Sequence, residues 1–487
     1  MTLLGARFQP LIVLLFLISG SLFAIPRDIP HRNDPCFVPK YLSLQDAIAL
    51  ALRNNPQIRS AELQRTVDRF TLEVARNQFL PQYSFDASAT YSNGTKPYYS
   101  TNPKTTWETP YGTMIGLGLA DQVNRGRETA AFVEVTQPLL RGGGPRVVQA
   151  AYLSTFQQEL INRLNLQDTI MATVTHVVQE YYKLVQDYNH LQIAQSTLVE
   201  ALKTLHATNL RIKAGKLAGT EIIQQETQIA TLRMSLIREN NLFSQDYRSL
   251  LILLGLDPRS DLKIDTHIKI RPNPLPSPSE AIEIALCNNI EYQRSLLKLK
   301  QLELALLVAK NEQQWKLDLV GRAQQELIRN KDFATINIDK LDAIGNDKPG
   351  GDRTLVVNLN IPIHDVTRKQ TIVRARIALR QFNIELETQR RQLIAAVMNS
   401  LQNLQTQLTQ IQLASDAMNY SQKSVEIAQK KFMYGRSTMF EVTSLQRTYM
   451  LQQLALVSEK ISYVDNEVLF QSLLGITLEK WCIKFHE

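Results

Sequence analysis

The residues of this chain that could do chemistry do not form a catalytic pattern. Seven histidines are scattered along the 487 residues, and none belongs to a His-Glu-x-x-His zinc motif. Gly142-Gly143-Gly144 precedes a helical pattern, as a phosphate cradle would, but neither a Walker lysine nor dinucleotide-binding spacing accompanies it. A strand-to-helix hinge is the favoured interpretation. We therefore expect a protein that is not an enzyme, with no catalytic residue, no cofactor and no metal site.

Charge and cysteine content exclude further classes. The formal net charge is +8, but the basic residues are spread along helical stretches and do not form the blocks typical of nucleic-acid binding. Cys36, Cys287 and Cys482 lie far apart and show no metal-ligand spacing. One disulfide among them is compatible with the sequence but not required by it.

Residues 1–24 have the features of a secretory signal peptide. Arg7 supplies the positive start, Leu11 to Ile18 is an apolar run too short to span a bilayer, and Ala24 suits the last residue of the leader. A single membrane anchor is the alternative interpretation. Residues 25–42 are then expected to form an N-terminal periplasmic segment.

The elements that would position any site come from a tandem repeat. The sequence 43–55 is similar to 277–289, and Leu-Leu-Gly-Leu at 253–256 is similar to Leu-Leu-Gly-Ile at 473–476. The copies cover 43–256 and 279–476, joined by a proline-rich linker at 257–278 and followed by a tail at 477–487.

Each copy alternates between strand and long-helix patterns. The second strand of the second copy has Leu355, Val357 and Leu359 on one face, and Ile372, Leu379, Leu386 and Leu393 then repeat at heptad spacing. The predicted elements of the first copy are a helix at 43–79, strands at about 82–91 and 128–138, a long exposed loop at 92–127, and helices at about 144–214 and 219–254. Those of the second copy are strands at about 315–324 and 353–362, a polar loop at 330–352, and helices at about 366–434 and 438–474. The expected strand-to-helix hinges are Pro138, Gly142, Gly143 and Pro362.

These elements predict an α+β membrane protein. Amphipathic strands of roughly ten residues suit a tilted transmembrane β-strand. Four strands per chain cannot close a barrel, and an open edge in lipid leaves backbone groups unpaired, so the chain must oligomerise. Two copies would give eight strands, and three would give twelve with room for a lumen. The long helices would leave the membrane as a coiled-coil tube continuous with the barrel.

This organisation resembles that of the TolC-like outer membrane efflux proteins, also called outer membrane factors. The resemblance extends over nearly all of residues 40–476. The segments that carry it are the helix start at 47–56, Phe79-Leu80-Pro81, Thr136-Gln137-Pro138-Leu139-Leu140-Arg141-Gly142-Gly143, and Tyr434-Gly435-Arg436-Ser437. It implies a homotrimer in the Gram-negative outer membrane, with a twelve-stranded transmembrane β-barrel and a periplasmic α-helical tunnel. The implied partners are a periplasmic adaptor (membrane fusion protein), an inner-membrane RND, ABC or MFS transporter, and outer-membrane lipid.

The resemblance also assigns roles at the two helix turns. It implies that both tips close the periplasmic entrance and contact the adaptor, through Lys213, Gly215, Lys216, Tyr434, Gly435 and Arg436. Glu441 takes the first acidic position of the constriction, whereas Ser444 stands where a second acid is expected, so the ring would be less negative. Phe432 takes the place of a gate aromatic, Arg436 of a latch partner, and Glu221 is the first-copy counterpart of Glu441. The ordinary alternative for each is a solvated or packing residue of a helical hairpin.

Two functions of different classes follow. The leading hypothesis is a passive export duct of a tripartite efflux pump or a type I secretion system, opened by the adaptor and the transporter. The alternative is a periplasmic structural or adaptor coiled coil without a pore, which leaves the matched amphipathic strands unexplained.

Overall fold

The computed structural model describes residues 41–91, 98–122, 128–215, 219–265, 274–328, 351–363 and 365–483. Leu42–Glu487 forms one compact unit, distinct from Met1–Tyr41. The predicted signal peptide, Cys36, Lys216 and most of the predicted 330–352 loop lie outside the described residues. Cys287 and Cys482 are free and exposed.

The described residues form long helices and a mainly antiparallel set of strands. The strands are β1 (Tyr41–Leu42), β2 (Gln82–Thr90), β3 (Tyr98–Glu108), β4 (Met114–Gln122), β5 (Glu128–Pro138), β6 (Lys263–Ile264), β7 (Lys316–Ile328) and β8 (Gly351–Asn360). The helices are α1 (Leu44–Asn54), α2 (Pro56–Asn77), α3 (Pro145–Val148), α4 (Ala150–Lys213), α5 (Thr220–Leu253), α6 (Pro278–Asn288), α7 (Ile290–Glu312), α8 (Val366–Met433), α9 (Met439–Leu474) and α10 (Thr477–Lys480). Within the part of the chain that is described, every helix is too short or too polar to cross a membrane.

The large sheet corrects the predicted strand count. Among the described residues it has six strands in the order β2-β3-β4-β5-β7-β8, each antiparallel to its neighbours. The prediction of four strands per chain is therefore wrong, and so is the prediction of a loop at 92–127, which contains β3 and β4. Gly118, a residue type that normally weakens a strand, has a packing reason within β4. A Cβ on Gly118 would lie 2.9 Å from the Pro103 carbonyl oxygen and 3.1 Å from the Phe132 ring.

The helices lie side by side in rows four wide. Near the sheet the order is α2-α4-α7-α8, and further away it is α5-α4-α9-α8, so α4 and α8 run through both rows. Helix α4 has 64 residues and α8 has 68, so α8 is about 100 Å long at the usual rise per residue. The core lies mainly along α4, where Val174, Val177, Val178 and Leu184 are almost completely buried.

The predicted helix at 43–79 is two helices. Asn55 lies between α1 and α2, and its side chain accepts hydrogen bonds from the backbone N–H groups of Gln57 and Ile58. Pro56 occupies the first position of α2, where its missing N–H removes no helical hydrogen bond. A comparable break separates α3 from α4 at Gln149.

The duplication is visible in the junctions between shorter helices. The Asn55 amide donates to the Leu253 carbonyl at 2.7 Å, and the Asn289 amide donates to the Leu473 carbonyl at 3.0 Å. The start of α2 is thereby fixed to the end of α5, and the start of α7 to the end of α9. Gly475 has φ +75, and a Cβ there would lie 2.3 Å from the Asn288 carbonyl oxygen, so both conformation and space demand glycine.

Candidate gate at the helical hairpin tips

The first hairpin tip follows the end of α4. The N–H of Ala214 bonds the Leu210 carbonyl at 3.0 Å, and the N–H of Gly215 bonds the Ile212 carbonyl at 2.8 Å. Gly215 has φ +71, the left-handed conformation that suits glycine at a helix end. Lys213 is exposed on the last turn of α4. Glu221 is the second residue of α5, and its assignment as a counterpart of Glu441 stays a prediction.

The second tip has a similar turn between α8 and α9. The N–H of Gly435 bonds the Phe432 carbonyl at 3.0 Å, and the N–H of Arg436 bonds the Lys431 carbonyl at 2.9 Å. Gly435 also has a left-handed φ of +74. Tyr434 is 80% exposed and Arg436 is exposed, so this tip presents an aromatic ring and a positive charge to its surroundings.

Glu441 combines an exposed charge with a local structural role. It is the third residue of α9, and its N–H bonds the side chain of the N-cap residue Thr438 at 3.2 Å. The Ser437 hydroxyl donates to the Glu441 carboxylate at 2.7 Å. A carboxylate in the first turn also interacts favourably with the helix dipole. Ser444 is exposed one turn further along.

Phe432 is a packing residue within the single chain. Its side chain is 9% exposed and belongs to an apolar cluster with Ala428, Met439 and Val442. This cluster is the core of the α8–α9 tip. The structure thus places Phe432 behind the surface of the hairpin, and its assignment as a gate aromatic stays a prediction.

An arginine that sequence reasoning did not single out joins the two hairpins. Arg211, on the last turn of α4, donates from Nη1 to the Phe432 carbonyl at 3.0 Å and from Nη2 to the Met433 carbonyl at 2.9 Å. Its guanidinium carbon also lies 4.8 Å from the centre of the Phe432 ring. These carbonyls belong to the C-terminal end of α8, where positive charge is favoured. The cation predicted as a latch partner, Arg436, is exposed.

The predicted hinge residues lie where sheet and helices meet. Past Pro138, the N–H of Leu139 still bonds the Leu317 carbonyl at 2.8 Å, and the N–H of Gly142 then bonds the Asn311 side chain at 2.8 Å. A Cβ on Gly143 would lie 2.7 Å from the Pro138 carbonyl oxygen. Pro362 follows the end of β8, four residues before α8 begins.

A buried acidic group lies halfway along the helical part. The Lys183 ammonium is 3.2 Å from the Asp246 carboxylate, and Asp187 lies close to the same carboxylate. Burial, followed by the interaction with the Asp246 carboxylate and its negative charge, raises the pKa of Asp187 to about 7. Burial and the charge of Glu180 raise the pKa of Asp465 to about 6. In the described residues, no group of His, Cys, Asp and Glu side chains could hold a metal ion.

The fold joins a sheet of six described strands to two helices of more than 60 residues each. The family model described as "Outer membrane efflux protein" matches residues 47–256 and 316–476, and the chain belongs to this family. The confirmed predictions are therefore the family and the outer-membrane location with a large periplasmic part.

Individual relatives are distant but similar over almost their whole length. The chain is 19% identical to the outer membrane protein TolC of Escherichia coli (strain K12) over 458 residues, which cover 90% of this chain and 83% of TolC. Its fold is similar to that of CusC, with a TM-score of 0.66 and 16% identity over 89% of this chain and 92% of CusC. It is also similar to the open state of the Neisseria gonorrhoeae MtrE outer membrane channel, with a TM-score of 0.64 and 15% identity over 89% of each chain.

Proposed function

We propose that this chain forms a homotrimeric, passive export duct through the outer membrane, in a tripartite efflux pump or a type I secretion system. The continuity of sheet and helices carries the proposal. Strands β5 and β8 run through the hinges into α4 and α8, which extend to the two hairpin tips. No catalytic step is needed for such a duct, because transport is powered by its partners.

The hairpin tips are the proposed contact with a periplasmic adaptor, which an inner-membrane RND, ABC or MFS transporter would accompany. At the second tip, Tyr434 and Phe440 are 80% and 66% exposed, so both rings are available for contact with another protein. Arg436 beside them is exposed, as is Lys213 at the first tip. An adaptor surface with apolar pockets and acidic side chains would complement this arrangement.

The proposed constriction is a ring of Glu441 side chains. Three symmetry copies of an exposed carboxylate in a narrow tube would attract cations and hinder anions. Ser444, one turn further, adds no second charge, so the ring is expected to be moderately selective.

Single-channel recording in planar bilayers tests the duct and its constriction. Glu441→Gln removes the charge yet can still accept the Ser437 hydrogen bond, and we expect it to reduce cation preference. Ser437→Ala is the matched control, because it removes the same hydrogen bond and keeps the charge. A pore whose selectivity ignores Glu441→Gln would keep the duct and contradict the constriction. Protein that stays soluble without detergent and gives no conductance would contradict the duct and favour the coiled-coil adaptor.

A further inference from the structure

The large sheet ends in two open edges that match each other. In the described part of the chain, β2 pairs with β3 and β8 pairs with β7, and the sheet order leaves the outer sides of β2 and β8 unpaired. The two edge strands have nine and ten residues. They run in opposite directions, so joining one to the other gives an antiparallel pair like every other pair in the sheet. A lipid environment requires such pairing, because it offers no water to unpaired backbone groups.

One mainly apolar face extends across the sheet from edge to edge. Cross-strand pairing places apolar side chains of all six described strands on the same side of the sheet. Examples from the two edges and the middle are Tyr83, Phe85, Leu117, Val133, Leu319, Leu355 and Val357. Tyr83 is 82% exposed and Leu355 is 74% exposed, so none of the described residues covers this face at the two edges.

The opposite face is mainly polar along the same strands, with Phe132, Val320 and Val356 as apolar exceptions. Ser84 and Asp86 on β2 lie on this side, as do Asn358 and Asn360 on β8. An uncovered apolar face and a polar face on one sheet are what a barrel wall needs between lipid and a water-filled lumen.

The hairpin β3–β4 is part of this wall. Ile115 and Leu117 of β4 lie opposite Val135 and Val133 of β5, in phase with the apolar face. The turn that joins β3 to β4 is also fixed to the base of the sheet. Trp107 donates to the Phe79 carbonyl at 3.0 Å.

Further contacts hold the same turn against the strand-to-helix junction. The Thr113 hydroxyl donates to the Gln137 side chain, and the Gln149 amide donates to the Pro110 carbonyl at 3.4 Å. A Cβ on Gly112 would lie 2.9 Å from a Val148 methyl group. A hairpin held at its base and in phase with its neighbours is a wall element and not a plug.

We propose that β8 of one copy pairs with β2 of the next, so that each chain supplies the six described strands to a shared barrel. With the three copies of the proposed function, on which this inference rests, the barrel has eighteen strands. The expectation from the family resemblance was twelve.

The width of the helical part supports the larger number. Four helices packed side by side at 8–10 Å occupy an arc of about 36 Å per chain. Six strands spaced at about 4.8 Å and tilted by about 40° occupy about 38 Å, whereas four strands occupy only about 25 Å. The six-stranded sheet therefore continues the helical wall at nearly equal diameter, and the barrel encloses roughly twice the cross-section of a twelve-stranded one.

Disulfide mapping tests the seam in the full-length protein, in a background with Cys36, Cys287 and Cys482 replaced by serine. Ser84→Cys is combined in turn with one of four cysteines on the polar face of β8. If Gln82 at the start of β2 lay opposite Asn360 at the end of β8, Ser84 would lie opposite Asn358. The shear of a barrel shifts this register, so the neighbouring positions are tested as well. The four partners are Thr354→Cys, Val356→Cys, Asn358→Cys and Asn360→Cys. We expect at least one of these pairs to link neighbouring chains, giving covalent dimers and trimers on non-reducing denaturing gels.

Three further pairs with Ser84→Cys serve as controls. Lys104→Cys, the register partner of Ser84 on β3, is expected to link within a chain. Val357→Cys points to the apolar face and is expected to form no link. Thr136→Cys on β5 is separated from β2 by the hairpin and is also expected to form none.

A link within one chain between Ser84→Cys and Thr136→Cys would place β2 directly beside β5 and overturn the six-strand wall. Absence of every interchain link, or of the link to Lys104→Cys, would overturn it as well. Conductance is measured on the same preparations. If the protein conducts but the disulfide links contradict pairing of β2 with β8, this inference is refuted and the proposed duct is retained. If the expected links form but the protein does not conduct, the proposed duct is refuted and the pairing of β2 with β8 is retained.

Discussion

Arg211 is predicted to hold the two hairpin tips together. In the proposed duct, opening of the periplasmic end would move at least one tip. Arg211 donates hydrogen bonds from α4 to two carbonyls at the end of α8, at 3.0 and 2.9 Å. A hydrogen bond from a charged donor contributes about 1.5–3 kcal/mol when buried. Water reaches this bridge and can replace part of it, so we assign about 1–2 kcal/mol per chain to the bridge as a whole.

Removal of that bridge has a measurable consequence. With about 1.4 kcal/mol per factor of ten, Arg211→Ala is expected to raise the equilibrium constant for opening roughly 5- to 30-fold per chain. The equilibrium constant for opening of Arg211→Lys is expected to lie between those of the unmodified protein and Arg211→Ala, because an ammonium cannot reproduce the bidentate contact of a guanidinium. The assay is the open probability of single channels in planar bilayers at fixed voltage and salt.

The matched control is Lys203→Ala. Lys203 is an exposed cation on the same helix, and its ion pair with Glu200 stays within α4. Lys203→Ala removes one positive charge from α4, as Arg211→Ala does, but leaves the contact with the end of α8 in place. The open probability of Lys203→Ala should therefore equal that of the unmodified protein. Equal open probabilities for Arg211→Ala and the unmodified protein would refute the bridge, and so would an equal increase in Lys203→Ala.

Two further predictions concern stability. The folded-state pKa of Asp187, about 7, lies above its ordinary 3.8, so the folded protein binds more protons than the unfolded chain between these values. Its stabilising contribution is complete below about pH 4 and is lost as pH rises to about 7. Asp187→Asn should therefore flatten the fall of the apparent unfolding temperature between about pH 4 and 7, and an unchanged slope would contradict this. Gly475→Ala should lower the apparent unfolding temperature more than Gly215→Ala. Both glycines have positive φ, but only a Cβ on Gly475 would collide with a carbonyl, that of Asn288. Equal effects of the two substitutions would contradict this close contact.

The long helices could be predicted because local chemistry alone sets their ends. Gly435 needs a left-handed conformation, which stops α8, and Thr438 caps the start of α9. Heptad spacing then fixes which face is buried. Each of these patterns is a property of neighbouring residues, so one sequence shows it without knowledge of the fold.

The inserted hairpin could not be predicted, because its turn-forming residues serve a different purpose. Proline and glycine at Pro103, Gly116 and Gly118 normally interrupt a strand. Here Gly118 provides the space that the Phe132 ring of the neighbouring strand occupies. Gly118 is required by the side chain of Phe132, 14 positions later in the chain. The alternation of apolar and polar residues in this segment is weakened by small residues, so the sequence alone cannot distinguish it from a loop.

The same limit explains why Arg211 was overlooked at the candidate gate. A basic residue in the last turn of a helix normally stabilises the carbonyl end of its own helix. Arg211 instead serves the end of α8, more than 200 residues later in the chain. That choice depends on how the hairpins pack, which places the α4 tip beside Phe432. In this chain the contact between the hairpin tips therefore involves main-chain carbonyls, which every residue possesses. Comparison of charged side chains alone, such as Glu441 and Arg436, would miss such a contact even in a closely related chain.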